Sequence, residues 1–206
     1  MKIERFFDDA ARARVAEAVK AAEARTSGQI VPVVVPRSRD YHLLHRAFAA
    51  AFLDTLFMLG LGVFVPSLHL TLLNVLAIAT VFGVSCLILL STPPRRWVEA
   101  AVRQRAMVAF VEHGVYRTRE ENGVLLFASL YERKVVVLGD RAVHEKLGDE
   151  HWNRTVATLV AGIRAGDPAG GFCKAIADIG EEMAKAFPRG SSSQPNELSD
   201  DLRIDR

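Results

Sequence analysis

The residues of this chain best suited to chemistry are carboxylates in its second half: Glu120, Glu121, Asp140, Glu145, Asp149, Glu150 and Asp167. Carboxylates gathered at one strand edge hold divalent cations, and two metals about 3.5–4 Å apart between such groups are one route to phosphoryl transfer to water. Strand ends and the loops after them would bring Glu121, Asp140 and Asp149 towards one another. Asn122 stands beside Glu121, and Asp167 is a further oxygen donor. These residues therefore form a candidate metal or ligand edge, with a divalent cation as its cofactor. They also have plainer uses. Glu121 and Asp140 bracket apolar strands and keep their ends solvated, while Asp149 and Asp167 stand where helix N-caps stand. Gly28 and Gly123 read as structural turns.

Other chemistries find less support. His144 and His151 are seven residues apart with Gly148 between them, which interrupts a shared helical face. His42 and His45 form a pair without an apparent third ligand. Cys86 and Cys173 imply no disulfide framework, and Cys173 follows the apolar periodicity of a late helix. Gly162, Gly166, Gly170 and Gly171 do not make a nucleotide loop, because the lysine-bearing phosphate motif is missing. A net charge of +2 gives no reason to expect a nucleic-acid partner.

The elements that must position the carboxylates can be read from periodicity. Asp8 or Asp9 caps a helix running to about Arg25, with Ala11, Val15, Ala18, Val19 and Ala22 as its apolar stripe. Gln29 to Val35 reads as a strand, in which Pro32 argues for an edge or a bulge. Pro93-Pro94 starts a helix ending near Gly114. Val124 to Ser129 and Lys134 to Leu138 read as a hairpin turning at Tyr131-Glu132-Arg133, and their unbroken apolar character implies burial on both faces. Two helices follow, separated at Gly166-Asp167-Pro168. This order predicts an α/β fold with a small mixed sheet flanked by helices: a parallel unit to which the hairpin adds an antiparallel strand.

Between the first strand and the helix that starts at Pro93-Pro94 lie two apolar runs, Phe48 to Val65 and Leu68 to Leu90, with Asp54 as their one fully charged side chain. Each approaches the roughly 20 residues that span about 30 Å of hydrocarbon. They predict a two-helix transmembrane hairpin over 47–90 that interrupts the fold. Asp54 and Asn74 would make the contact between its helices. Arg37, Arg39 and Arg46 before it and Arg95, Arg96, Arg103 and Arg105 after it place both flanks in the cytoplasm. The chain starts without a signal peptide. The expected organisation is a first helix and strand over 1–40, the hairpin, the remainder of the domain over 93–188, and a disordered tail over 189–206.

Four short motifs in order carry a resemblance: Thr26-Ser27-Gly28-Gln29-Ile30, Glu121-Asn122-Gly123-Val124-Leu125-Leu126, Glu132-Arg133-Lys134-Val135, and Arg164-Ala165-Gly166-Asp167. Together they resemble the TPM domain family, in a bacterial membrane-protein form with an inserted hairpin, over roughly Phe7 to Phe187. That family includes thylakoid-lumen proteins, photosystem II repair factors and a receptor modulator. The resemblance implies a TPM-like fold and, from plant members, weak phosphatase activity with divalent-metal binding. The chain departs from the pattern where Glu121 replaces Asp and where Val143 stands in place of an expected Glu.

Two functions are therefore expected. One is an accessory interaction or assembly factor at the cytoplasmic face of the inner membrane, with the lipid bilayer, a membrane protein or a homo-oligomer as partner. The alternative is a divalent-metal-dependent, phosphatase-like hydrolase. A binding role is favoured over an enzymatic one.

Overall fold

The computed structural model describes residues 6–39, 49, 51–53, 55–56, 78–84, 95–147, 152–189 and 196–205. The chain divides into two compact units, Met1–Arg39 with Arg96–Arg206, and Asp40–Arg95.

In the larger unit, α1 (Asp9–Glu23) begins where the Asp8 carboxylate accepts the Ala11 N–H at 2.7 Å, which satisfies one of the free donors of the first turn. Strand β1 (Gln29–Val35) follows. After the insertion come α2 (Arg95–Glu112), a short 3₁₀ turn (Val115–Arg117), β2 (Gly123–Ser129), β3 (Lys134–Gly139), α3 (Arg141–Leu147), α4 (Asn153–Ala165), α5 (Pro168–Ala186) and a two-residue strand β4 (Arg203–Ile204). The sheet order is β3-β2-β1-β4. β1 runs parallel to β2 and to β4, and β2 and β3 form the antiparallel hairpin. A small mixed α/β sheet flanked by helices is thus the fold.

β1 and β2 are buried along their whole length because both faces of the sheet are covered. Alternation sends Ile30, Val34, Val124, Leu126 and Ala128 to a core shared with Val15 and Val19 of α1 and with Phe172, Ile176 and Ile179 of α5. Val31, Val33, Val35, Leu125 and Phe127 face the other way, onto Val102, Ala106 and Ala109 of α2. Each of the valine, leucine, isoleucine and phenylalanine side chains among them, once buried, contributes roughly 1.5–3 kcal/mol. α4 and α5 approach closely through glycine: a Cβ on Gly162 would lie 2.6 Å from the Gly171 Cα.

Pro32 lies in a strand with neighbours on both sides, and backbone alternation shows why it is tolerated. Gln29 N–H and Val35 C=O bond on the β2 side, to Asn122 and Leu130; Ile30 N–H and Val34 C=O bond on the opposite side, to Glu23 and Asp205. Pro32 shares the parity of Ile30 and Val34. Its missing donor therefore faces the β4 side, where, among the described residues, only Val33 and Val34 are paired.

In the smaller unit, described residues are helical at 49, 51–53, 55–56 and 78–84. The Phe52 and Phe82 rings stack with centroids 4.7 Å apart, and the Thr55 hydroxyl donates to Ala51 C=O. The transmembrane hairpin expected over 47–90 is corrected here: among the described residues no helix is long and apolar enough to cross a membrane. An apolar run sets composition without setting helix length. With the hairpin go the inner-membrane location and the bilayer, membrane-protein or homo-oligomer partner inferred from it. Asp54 and Asn74 lie outside the described residues.

Candidate functional site

The structure brings Glu121, Asn122 and Asp140 to one end of the β2–β3 hairpin, where Val124 pairs with Gly139. Glu121 adopts φ +51, and its carboxylate is bound to the Arg141 Nε at 2.5 Å. Asp140 caps α3: its Oδ1 accepts the Arg141 N–H at 2.8 Å, its backbone N–H donates to Gly123 C=O at 2.8 Å, and its Oδ2 is buried without a protein partner among the described residues. Both carboxylates are thus committed, one to a cation and one to a helix start.

Asn122 is the organising residue of this end. It is buried, and its amide donates to Ser27 C=O, Ser27 Oγ and Glu120 Oε2 at 3.0–3.2 Å, while its backbone N–H donates to the Thr118 hydroxyl. The side chain therefore ties the loop before β1 to the loop before β2. Gly123 follows because a Cβ there would collide with the Val115 carbonyl oxygen. Gly28 packs its bare Cα side against Met183.

Asp167 is elsewhere, as the N-cap of α5, accepting the Gly170 N–H at 2.9 Å. Asp149 and His151 lie outside the described residues. Among the described residues no group of three His, Cys, Asp or Glu is arranged to hold a metal ion. The metal-dependent hydrolase carried as the alternative reading of the carboxylate edge is corrected accordingly: Glu121 pairs with Arg141, Asp140 and Asp167 each spend one oxygen at a different helix start, and the three do not gather at one point. Burial raises the pKa of the Cys173 thiol, whose Sγ lies 3.6 Å from Arg14 C=O, so it is not poised as a thiolate.

A second constellation escaped the sequence reading. A cleft of about 380 Å³ beside β3 has Val102, Val135, Val136, Val156 and Val160 in its wall and Arg103, Arg133, Lys134 and Arg164 among its other lining residues. Lys134 pairs with Glu99 at 2.7 Å. Arg103, Arg133 and Arg164 are exposed and have no carboxylate partner among the described residues. Arg103 also borders a neighbouring cleft of about 240 Å³ lined by Met107, Phe110, Val111, Leu138 and Gly139. No motif announces this grouping, since its arginines come from α2, the β2–β3 turn and α4.

A third group lies where α1 meets β1. Glu23 is buried, and its Oε1 accepts the Ile30 N–H at 2.7 Å. Burial is the main reason its pKa is pushed up to about 8; the Ile30 hydrogen bond opposes this, and nearby Asp200 adds to it.

Comparison with known proteins bears on this fold. Residues 88–182 match the TPM domain family. The TPM match takes in α2, β2, β3, α3, α4 and most of α5, leaving α1, β1 and β4 outside it. No curated protein matches the chain. The NMR structure of BA42 protein from the psychrophilic bacterium Bizionia argentinensis is similar over 99% of this chain and 99% of that one, with a TM-score of 0.62 and 19% identity. At that identity the likeness is one of fold. The inserted membrane hairpin of the expected TPM form has no support from either comparison.

Proposed function

We propose that this chain is a non-catalytic ligand-binding protein, and that its ligand is an anion with an apolar portion, held in the cleft beside β3. The observation that carries the reading is the set of three arginines, Arg103, Arg133 and Arg164, around a valine-lined hollow with Glu99 as the one acidic residue among its described lining residues. Guanidinium groups recognise carboxylates and phosphates through paired N–H donors. Cleft volume also fits, since small-molecule sites run from about 300 to 1,000 Å³ and are mostly apolar with a few polar groups. The adjoining hollow at Met107 and Phe110 extends the apolar surface past Arg103.

Turnover is not part of this proposal. Glu121 and Asp140, the carboxylates nearest to the expected catalytic edge, are engaged in structural contacts. The test is an NMR titration of the full chain with octyl phosphate below its micelle concentration, alongside inorganic phosphate and octanol. Saturable shifts at Val102, Val136, Val156 and Val160 with octyl phosphate are expected, and the Arg103→Ala/Arg164→Ala form should weaken them. At about 0.2–1 kcal/mol for each exposed charge contact, the loss is roughly two- to thirty-fold. Shifts that fail to saturate, or that ignore the double substitution, would sink the proposal.

A further inference from the structure

The final ten described residues do not hang free: residues 196–205 lie along the open side of β1. The ladder itself is brief, pairing Arg203 with Val33 and Ile204 with Val34, followed by the Asp205 N–H donating to Val34 C=O at 3.1 Å. Side chains supply the rest of the grip. The Gln29 amide oxygen accepts the backbone N–H groups of Glu197 and Leu198 at 3.1 and 3.0 Å. Glu197 in turn accepts the Arg119 N–H. Leu202 is buried in the main core, and Leu198 packs against the core on the other face. At the far end the Asp205 carboxylate lies 3.2 Å from Arg105 Nη2 and 3.1 Å from His113 Nε2, in a cluster whose side chains are all at most 20% exposed.

This is how a sheet edge holds a peptide: a few main-chain bonds give orientation and alternate side chains give selectivity. The segment is joined to Arg189 through Gly190-Ser191-Ser192-Ser193-Gln194-Pro195, a small and polar stretch of tether composition. A short tether of this kind presents its end at an effective concentration in the millimolar range. Weak intrinsic contacts are then enough to keep the groove filled.

We propose that the open side of β1 is a peptide-binding groove, that residues 196–205 are its tethered occupant, and that an extended acidic segment of a partner protein takes their place. The occupant defines the chemistry of that partner. It carries two leucines four residues apart, then an isoleucine and an aspartate, as in Leu198, Leu202, Ile204 and Asp205, with acidic residues between the leucines. The groove answers with Gln29 at one end and the Arg105–His113 pair at the other.

The test uses the full chain and a fluorescent peptide of residues 196–205. Wild type should bind it weakly, because its own tail competes. Leu202→Asp in the chain removes the buried anchor and should bind the peptide at least tenfold more tightly. A peptide carrying Leu202→Asp or Asp205→Asn should lose that binding. Absence of saturable binding to a Leu202→Asp chain with native circular dichroism and amide spectrum overturns the proposal, as does equal binding to wild type. Should that variant fail to fold, a full chain with a protease site placed across 190–195 is cut after folding. Exchange of the severed tail for labelled peptide is the expected result. A tail that never exchanges is an integral strand, and the proposal falls.

Discussion

Replacing Glu23 by Gln should remove a large alkaline loss of stability. The side chain sits in a buried place and accepts the Ile30 N–H, with the charges of Asp200 and Arg189 acting on it in opposite directions. With a folded pKa of about 8 against an ordinary 4.5, the folded state keeps a proton that the unfolded chain gives up. Below pH 4.5 both states are protonated and the group costs nothing. Between pH 4.5 and 8 only the unfolded state ionises, so stability falls by about 1.4 kcal/mol per pH unit. Above pH 8 both are ionised and the loss is complete, on the order of 5 kcal/mol at most. At pH 7 the loss is about 3 kcal/mol. Gln keeps an acceptor for Ile30 and offers a donor to Asp200, so it imitates the protonated acid. Urea unfolding of both proteins at pH values from 5 to 9 is the assay. The difference between Glu23→Gln and wild type should grow with pH and level off above 8. Two curves that run parallel across this range would refute the reasoning, since Glu23 would then titrate as an ordinary carboxylate.

Other substitutions test the acidic end of the hairpin. Asn122→Leu leaves Ser27 C=O and Glu120 without their amide donor and should cost about 1–3 kcal/mol, read as a lower urea midpoint. Gly123→Ala forces β2 away from the Val115 carbonyl and should cost about 1–3 kcal/mol, with faster amide exchange in the 3₁₀ turn. Arg141→Ala breaks an ion pair that water already screens and should leave the midpoint of a thermal melt essentially unchanged.

Much of the sheet could be read from the chain because its signals are local. Residues 124–129 are apolar without alternation, and α1 and α2 cover β2 from opposite sides; the same pattern over 134–138 overstated the burial of β3, where Val135 and Val137 are buried but Val136 and Leu138 only half-buried, because β3 is the outer strand of the sheet. The cap at Asp167 was equally visible, and the first cap was narrowed to Asp8 or Asp9, of which Asp8 takes it, since an acidic residue just ahead of an apolar period has little else to do there. The apolar insertion misled for a related reason: hydropathy records what a segment avoids and not how long its helices are. Residues 189–206 read as a disordered tail because they are polar and short of apolar side chains. What seats residues 196–205 is one leucine in the core and a set of contacts to Gln29, Arg105 and His113, more than 80 residues away at the nearest. Of the residues proposed for the carboxylate edge, Glu121, Asn122 and Asp140 share one end of the hairpin and Asp167 does not, and the engagement of Glu121 with Arg141 and of Asp140 with the start of α3 depends on geometry that spacing does not encode. The arginine cleft was invisible for the same reason.

Placing β1 beside β2 has a consequence for the order of synthesis. Val35 leaves the ribosome long before Gly123, and at about 5–20 residues per second the wait for the partner strand is roughly 4–18 s. During that interval Gln29–Val35, a run of β-branched side chains, has neither its parallel neighbour nor the α5 surface on which α1 packs. An unpaired apolar strand of that kind is a template for pairing with another nascent chain. Pro32 interrupts the template at its centre by withholding a backbone donor, and the folded sheet tolerates the gap because it faces the sparsely paired side. The residue that weakens β1 as a strand thus protects it while it waits.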